Sequence, residues 1–244
     1  FGLFPANAVG DDVELYTDES RRTVRLTWHN LRQQTEKGLA EDGKFLPSRC
    51  LADFIAPKTT GKADYLGGFA VTAGLGCDEK VAEFMAAMDD YNAIMASALA
   101  DRLAEAFAEL LHRKVRTDLW GYAAGETLDN GALIAEQYQG IRPAPGYPAC
   151  PDHSAKRALF AHLQCGEIGM QLTEGLAMAP AASVSGLSSW EAARCNTFCC
   201  AAAGVRCSSM TAATNLRAAV ASPAALVNST TCAPPCIRAP RRRH

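Results

Sequence analysis

Between Asp78 and about Arg116, large apolar residues return every three or four positions: Val81, Phe84, Met85, Met88, Tyr91, Met95, Leu99, Leu103, Phe107, Leu110 and Leu111. That spacing is the period of one helix face, and the residues between are mostly good helix formers. The chain must therefore house one long helix, or two end to end. Helices in water draw most of their stability from tertiary packing, so the rest of the chain has to supply a surface for this one.

The candidates for that surface are strands. Residues 13–17 (VELYT) alternate and predict a short strand closed by the Asp18-Glu19-Ser20 turn, and 23–27 (TVRLT) can pair with it. Residues 65–73 (YLGGFAVTA) are interrupted by glycine but rich in strand formers, and predict a central strand ending in a Gly74-Leu75-Gly76 turn. Residues 30–40 carry no clear apolar face and read as loop or weak helix, and 49–57 (RCLADFIAP) end in a proline stop. A second helix is predicted over about 131–138, and a third from near Asp152, with Ser154 as a possible cap, to about Gln164. The expected fold class is α+β: long helices packed on a twisted antiparallel or mixed sheet, in a single domain. No internal repeat is visible.

Composition locates the core. Over the whole chain, 48% apolar and 20% charged residues are ordinary globular usage. The average conceals a break: residues 1–186 hold 17 of 24 Lys+Arg and 25 of 26 Asp+Glu, a net of about −8, whereas 187–244 hold seven Arg, one Glu and neither Lys nor Asp. Only seven of the 57 residues in 188–244 are Leu, Ile, Val or Phe, too few to build a core. The expected organisation is thus a folded body, 1–187, and an aberrant Ala/Arg/Cys-rich tail, 188–244. An acidic body argues against nucleic acid as a partner, since phosphate binding needs clustered Lys and Arg. No stretch approaches the ~20 apolar residues of a membrane span, and FGLFPANAVGDD lacks the features of a signal peptide. These readings predict a cytoplasmic protein. A start at Phe1 suggests a cut through a longer polypeptide.

One loop stands out chemically. Arg142-Pro143-Ala144-Pro145-Gly146-Tyr147-Pro148-Ala149-Cys150-Pro151 is stiffened by four prolines, which pre-set φ and hold Arg142 and Tyr147 at low entropic cost. A guanidinium there can grip a carboxylate, Gly146 lets a ligand approach the backbone, and Tyr147 offers a ring face and a hydroxyl. A rigid inter-helix turn with an exposed Arg fits the same residues. Gly74-Leu75-Gly76 lacks the third glycine of a nucleotide-binding loop. Cys150-Pro151-Asp152-His153 has metal-capable side chains without a second ligand pair in the body, so a structural role is expected and no metal site is assigned.

The run YQGIRPAPGYPACPDH (138–153), with LADFIAP (51–57), DDYNAIMASALADRLAEAFAELLH (89–112) and LTEGLAMAPAASVSGL (172–187), closely resembles the C-terminal activation domain of cobalamin-dependent methionine synthase. FPANAVGDDVELYTDE and RQQTEKG fit it too, so the resemblance covers residues 1 to about 187. It implies a domain that binds S-adenosylmethionine and closes over a cobalamin-binding domain of the same polypeptide. Inactive cob(II)alamin is there reductively remethylated with an electron from a flavodoxin-type protein or a reductase. It also implies Arg142 on the carboxylate of the methionine moiety, Ala144, Gly146 and Tyr147 along the same ligand, and Asp53 on one of its polar groups. Glu136 and Glu105 are further candidates for carboxylates near the sulfonium, although Glu105, with Asp101 and Glu109 four residues away on either side, also reads as part of a solvated helix face. A zwitterion bearing a sulfonium calls for such a set: an arginine for the carboxylate, carboxylates for the positive groups. Cobalamin would be bound outside this chain, and no residue here is expected to act as nucleophile or general base.

After SVSGL the resemblance stops. The family continues with Tyr-Phe pairs and a His-Pro turn; this chain continues SSWEAARCNTFCCAAAGVRCSS, the composition of GC-rich coding DNA read in a shifted frame. Its six cysteines are assigned no function. Two other readings compete: an autonomous S-adenosylmethionine-dependent methyltransferase, and a fragment that the altered tail leaves non-functional.

Overall fold

The computed structural model describes residues 1–190 apart from 36, 40–42 and 44. Its centre is a five-stranded sheet, β1 (Gly2–Val9), β2 (Asp12–Tyr16), β3 (Val24–Trp28), β4 (Asp64–Thr72) and β7 (Ser183–Ser188), in the order β3-β2-β1-β4-β7. Every pairing in it is antiparallel. A two-stranded ribbon, β5 (Gln171–Leu172) and β6 (Met178–Ala179), stands apart. The helices are α1 (Cys77–Ala86), α2 (Asp90–Lys114), α3 (Asn130–Ile134) and α4 (Ala155–Leu163).

Alternation along β4 assigns the two faces of the sheet. Phe69 and Val71 pack with Ala108, Leu111 and Val115 at the end of α2, whereas Leu66 shares a cluster with Leu159 of α4, and Ala70 one with Phe160. A strand covered on both faces loses the polar alternation of a half-exposed one, which is why β4 reads as an almost unbroken apolar run. The same cluster as Leu66 takes in Val13, Leu15, Trp28 and the 3-10 turn Leu51–Phe54.

The expected α+β class, the β2–β3 pair and the strand over 65–73 are all present. The helical run takes the second of its two expected forms, two helices end to end, because Met88 adopts φ +58° and the Asp89 carboxylate caps α2 by accepting the Asn92 N–H. Three elements differ from expectation. The face of α2 that meets the sheet is its alanine face, Ala93, Ala100, Ala104 and Ala108, while Tyr91 (70% exposed) and Leu103 (61%) point away. Small side chains let the helix backbone come close to the sheet, so the wider stripe lies outward. Strand β1 carries no alternating signal and includes Pro5, tolerated because β2 pairs only from Ala6 onward and Pro5 has a strand neighbour on one side alone. Helix α3 stops at Ile134 rather than near Tyr138, since Glu136 takes a left-handed φ of +54°.

The third helix begins as expected, but Ser154 does not cap it with its own side chain; the Asp152 carboxylate accepts the Ser154 N–H at 2.7 Å. The expected aberrant tail falls on residues 191–244, outside the described ones, and on three that are described. Ser188 ends β7, the Ser189 hydroxyl donates to the Phe54 carbonyl at 2.7 Å, and Trp190 stacks on Tyr122. Among the described residues no helix is long and apolar enough to cross a membrane.

Candidate functional site

The proline-stiffened loop is fastened to β7, the strand at one edge of the sheet among the described residues. Ile141 and Ser189 exchange both backbone bonds (2.9 and 3.2 Å), and the Leu187 N–H donates to the Pro143 carbonyl at 2.8 Å. Arg142 lies between these two anchors. Entry to the loop requires Gly140, whose φ of +90° would put a Cβ 2.6 Å from the Tyr122 hydroxyl oxygen. The loop is thus positioned by the sheet rather than by its prolines alone.

From this edge the Arg142 guanidinium reaches α2, where Nη2 donates to Glu109 Oε2 at 2.8 Å. The two flank an open cleft of about 290 Å³, lined also by Asn130, Leu133, Glu136 and Tyr138. Among the described residues, two atoms of the pair are buried without a hydrogen-bond partner, Arg142 Nε and Glu109 Oε1. Such atoms cost roughly 1 to 3 kcal/mol each when left unpaired, so a buried open donor beside a buried open acceptor marks a place for a polar ligand.

Behind Tyr138 stands a second buried polar group. Arg116, fully buried, makes a double bond pair with Glu126 (Nε to Oε2 and Nη2 to Oε1, both 2.7 Å), lies 4.3 Å from the Tyr138 ring centroid, and donates from Nη1 to His112 Nδ1 at 2.8 Å. Arginine only donates, so His112 Nδ1 accepts and its proton resides on Nε2. The His112 ring meets Tyr138 edge-on at 4.9 Å. Burial, with Arg116 and Arg142 nearby, pushes the His112 pKa down to about 3, so the imidazole is neutral.

That displacement sets a pH dependence, opposed by Asp64, whose carboxyl is pushed up to about 6 by burial despite bonds from the Ala56 and Tyr65 N–H groups. The unfolded chain protonates His112 below about pH 6.5 and the folded one does not until about pH 3, so this contribution is complete above 6.5 and is lost as pH falls. Asp64 acts in reverse: its contribution is complete below about pH 3.8 and is lost as pH rises through about 6. At full slope each is worth about 1.4 kcal/mol per pH unit. Thermal melts from pH 4 to 7 should show His112→Asn gaining on the wild type as pH falls, and Asp64→Asn gaining as pH rises. Parallel curves would refute the assignment.

Of the residues singled out from sequence, Arg142 and Glu136 line this cleft. Glu105, one turn before Glu109 on α2, lines a second one of about 260 Å³ with Ala181, Ser183 and Val184. Ala144 and Tyr147 belong to the anchored loop, where the Tyr147 N–H donates to the Ala144 carbonyl, and the Tyr147 side chain is exposed. At Gly146, φ +102°, the space a Cβ would need is filled by the His153 ring. Asp53 lines neither cleft: it accepts two bonds from Arg32 (2.8 and 2.9 Å) and the Cys50 N–H at 3.0 Å. Burial raises its pKa, but those bonds outweigh burial and hold it below the ordinary carboxylate value. In Cys150-Pro151-Asp152-His153, Cys150 is buried with its thiol pushed up to about 11, the Asp152 carboxylate accepts the Ser154 N–H just ahead of α4, and the His153 ring packs on Gly146.

Nothing in the sequence alone singles out His112, Arg116 or Glu126, and Glu109 reads there only as part of a solvated helix face. The available signal was the Glu109–His112–Arg116 spacing of three and four, which places all three on one helix face.

The class defined so far is an α+β domain in which a sheet-anchored arginine and a helical glutamate flank an open cleft of small-molecule size. Residues 1–201 match the family described as vitamin B12 dependent methionine synthase, activation domain, and the chain belongs to that family. Among solved structures it is similar to a crystal structure of the MetH reactivation domain bound to AdoHcy, at 56% identity with a TM-score of 0.73. The match covers 81% of this chain and 59% of that one.

Proposed function

We propose that this chain binds S-adenosylmethionine and presents its methyl group for the reductive remethylation of inactive cob(II)alamin, as the activation domain of a cobalamin-dependent methionine synthase. The observation that carries the reading is the likeness, at 56% identity, to a reactivation domain bound to AdoHcy, which lacks only the transferable methyl of that ligand. In this reading Arg142 takes the carboxylate, Glu136 stands toward the sulfonium, and Tyr138, Leu133 and Ile134 supply apolar surface. Glu105, Asp53, Ala144, Gly146 and Tyr147 remain proposed contacts; Asp53 must release Arg32 to serve. The cleft residues carry a formal charge of −1 (Arg142, Glu109, Glu136), complementary to the +1 of S-adenosylmethionine. Cobalamin, on a neighbouring domain of the longer polypeptide, supplies the methyl acceptor. What this chain contributes is orientation of the donor.

The methyltransferase activity therefore belongs to the whole protein, placed in the cytoplasm with a flavodoxin-type or reductase electron donor. We assign the activation domain to 1–187 and a frame-shifted tail to 188–244.

The test uses methyl-labelled S-adenosylmethionine, with the cobalamin domain and a one-electron reductant added separately and together. Label should reach cobalt only when both are present. Label on another acceptor without cobalamin would instead make this an autonomous methyltransferase.

A further inference from the structure

The Arg142–Glu109 pair is satisfied on one side only. Arg142 Nη2 and Glu109 Oε2 hold each other at 2.8 Å, while Arg142 Nε and Glu109 Oε1 are both buried and have no partner among the described residues. A carboxylate ligand alone would satisfy the arginine and leave the glutamate oxygen buried and open. An amine alone would do the converse. One ligand end satisfies both at once: an α-amino acid, whose carboxylate and ammonium sit on a single carbon and can address a donor and an acceptor that are themselves hydrogen-bonded neighbours.

Of the two carboxylates on the cleft, Glu109 is the one already paired with Arg142. His112, one turn further along α2, is neutral with a proton on Nε2, so it can only donate from that atom. Arg116 is engaged by Glu126. Glu136, on the loop after α3, is exposed and lies on the same cleft. We propose that Glu109 receives the α-ammonium of the bound ligand while Arg142 takes its carboxylate, so that this ion pair selects for an intact amino-acid end. The inference rests on the function proposed above and adds a specificity-determining residue to it. Glu109 is then a ligand contact rather than a competitor that the ligand must expel from Arg142.

The experiment compares two probes, S-adenosylhomocysteine and its deaminated analogue with hydrogen in place of the α-ammonium, on the 244-residue chain and on Glu109→Gln. The variant should lose about tenfold or more in affinity for S-adenosylhomocysteine, the value of one charge-assisted bond, and less than about twofold for the analogue. Equal losses for both probes, or tighter binding of either by the variant, overturn the assignment of Glu109 while leaving the proposed function standing. Failure of the wild type to bind either probe overturns both. If Glu109→Gln lacks a cooperative melt, the same comparison on Glu109→Asp decides, a loss confined to the amino-bearing probe being the supporting result.

Discussion

Replacing Glu126 by alanine is expected to destabilise the fold by about 3 to 5 kcal/mol, the cost of leaving a buried guanidinium without its counter-ion. Arg116 is wholly enclosed and its partner almost so, with side-chain exposures of 0% and 7%. Of its three bonds two go to Glu126 and the third to a neutral imidazole, which cannot balance the charge. At about 2 to 4 °C per kcal/mol for a chain of this size, the melting temperature should drop by some 6 to 20 °C. Glu126→Gln, which keeps the shape and one acceptor, should lose less. Replacing both partners by apolar residues of similar volume, Arg116→Met with Glu126→Leu, should restore most of the stability, because the penalty lies in the unpaired charge. Chemical denaturation of the four proteins measures this. A loss below about 1 kcal/mol in Glu126→Ala would show that Arg116 finds water or another acceptor. The effect also reaches the cleft, since Arg116 and His112 together fix the plane of the Tyr138 ring.

Arg142→Ala is the second large effect, on binding rather than folding. Its side chain is one-fifth exposed and its loop is held by backbone bonds at Ile141 and Pro143, so the substitution removes the guanidinium without loosening its mount. A lost charge-assisted bond is worth about 1.5 to 3 kcal/mol, roughly a ten- to 150-fold weaker complex with S-adenosylmethionine. Arg142→Lys should recover only part of this, because an ammonium cannot serve Glu109 and a ligand carboxylate in the fork geometry of a guanidinium. Competition binding against labelled ligand orders the three proteins. Lysine equal to arginine would reduce the residue to a point charge.

Much of this was legible from sequence where physics is local. The alternating 13–17 and 23–27 segments became a hairpin, the periodic run became helices, and the proline-rich loop did hold an arginine on a cleft. What stayed hidden depended on partners distant in the chain. Strand β1 is a strand because β2 and β4 flank it, not because Gly-Leu-Phe-Pro-Ala-Asn-Ala-Val has strand character. Strand β7 is built from serine, glycine, Val184 and Leu187, small residues that suit a loop as well. The inward face of α2 was obscured because its alanines carry a weaker hydrophobic signal than the outward Tyr91, Leu99 and Leu103. At the site, Arg142 was found through its own loop, whereas Glu109 becomes chemically notable only when a residue 33 positions away reaches it. Asp53 shows the converse: its carboxylate is engaged by Arg32, from a stretch with no periodicity to flag it.

On the proposed function, the Arg142 cleft binds an adenosylated amino acid. Calorimetric titration of the 244-residue chain with S-adenosylhomocysteine tests it most directly, with Arg142→Ala in parallel. One saturable site is expected in the wild type and, in the variant, a site weakened at least about tenfold. No heat of binding in the wild type, or undiminished affinity in a variant that melts like it, would remove the ligand from this cleft.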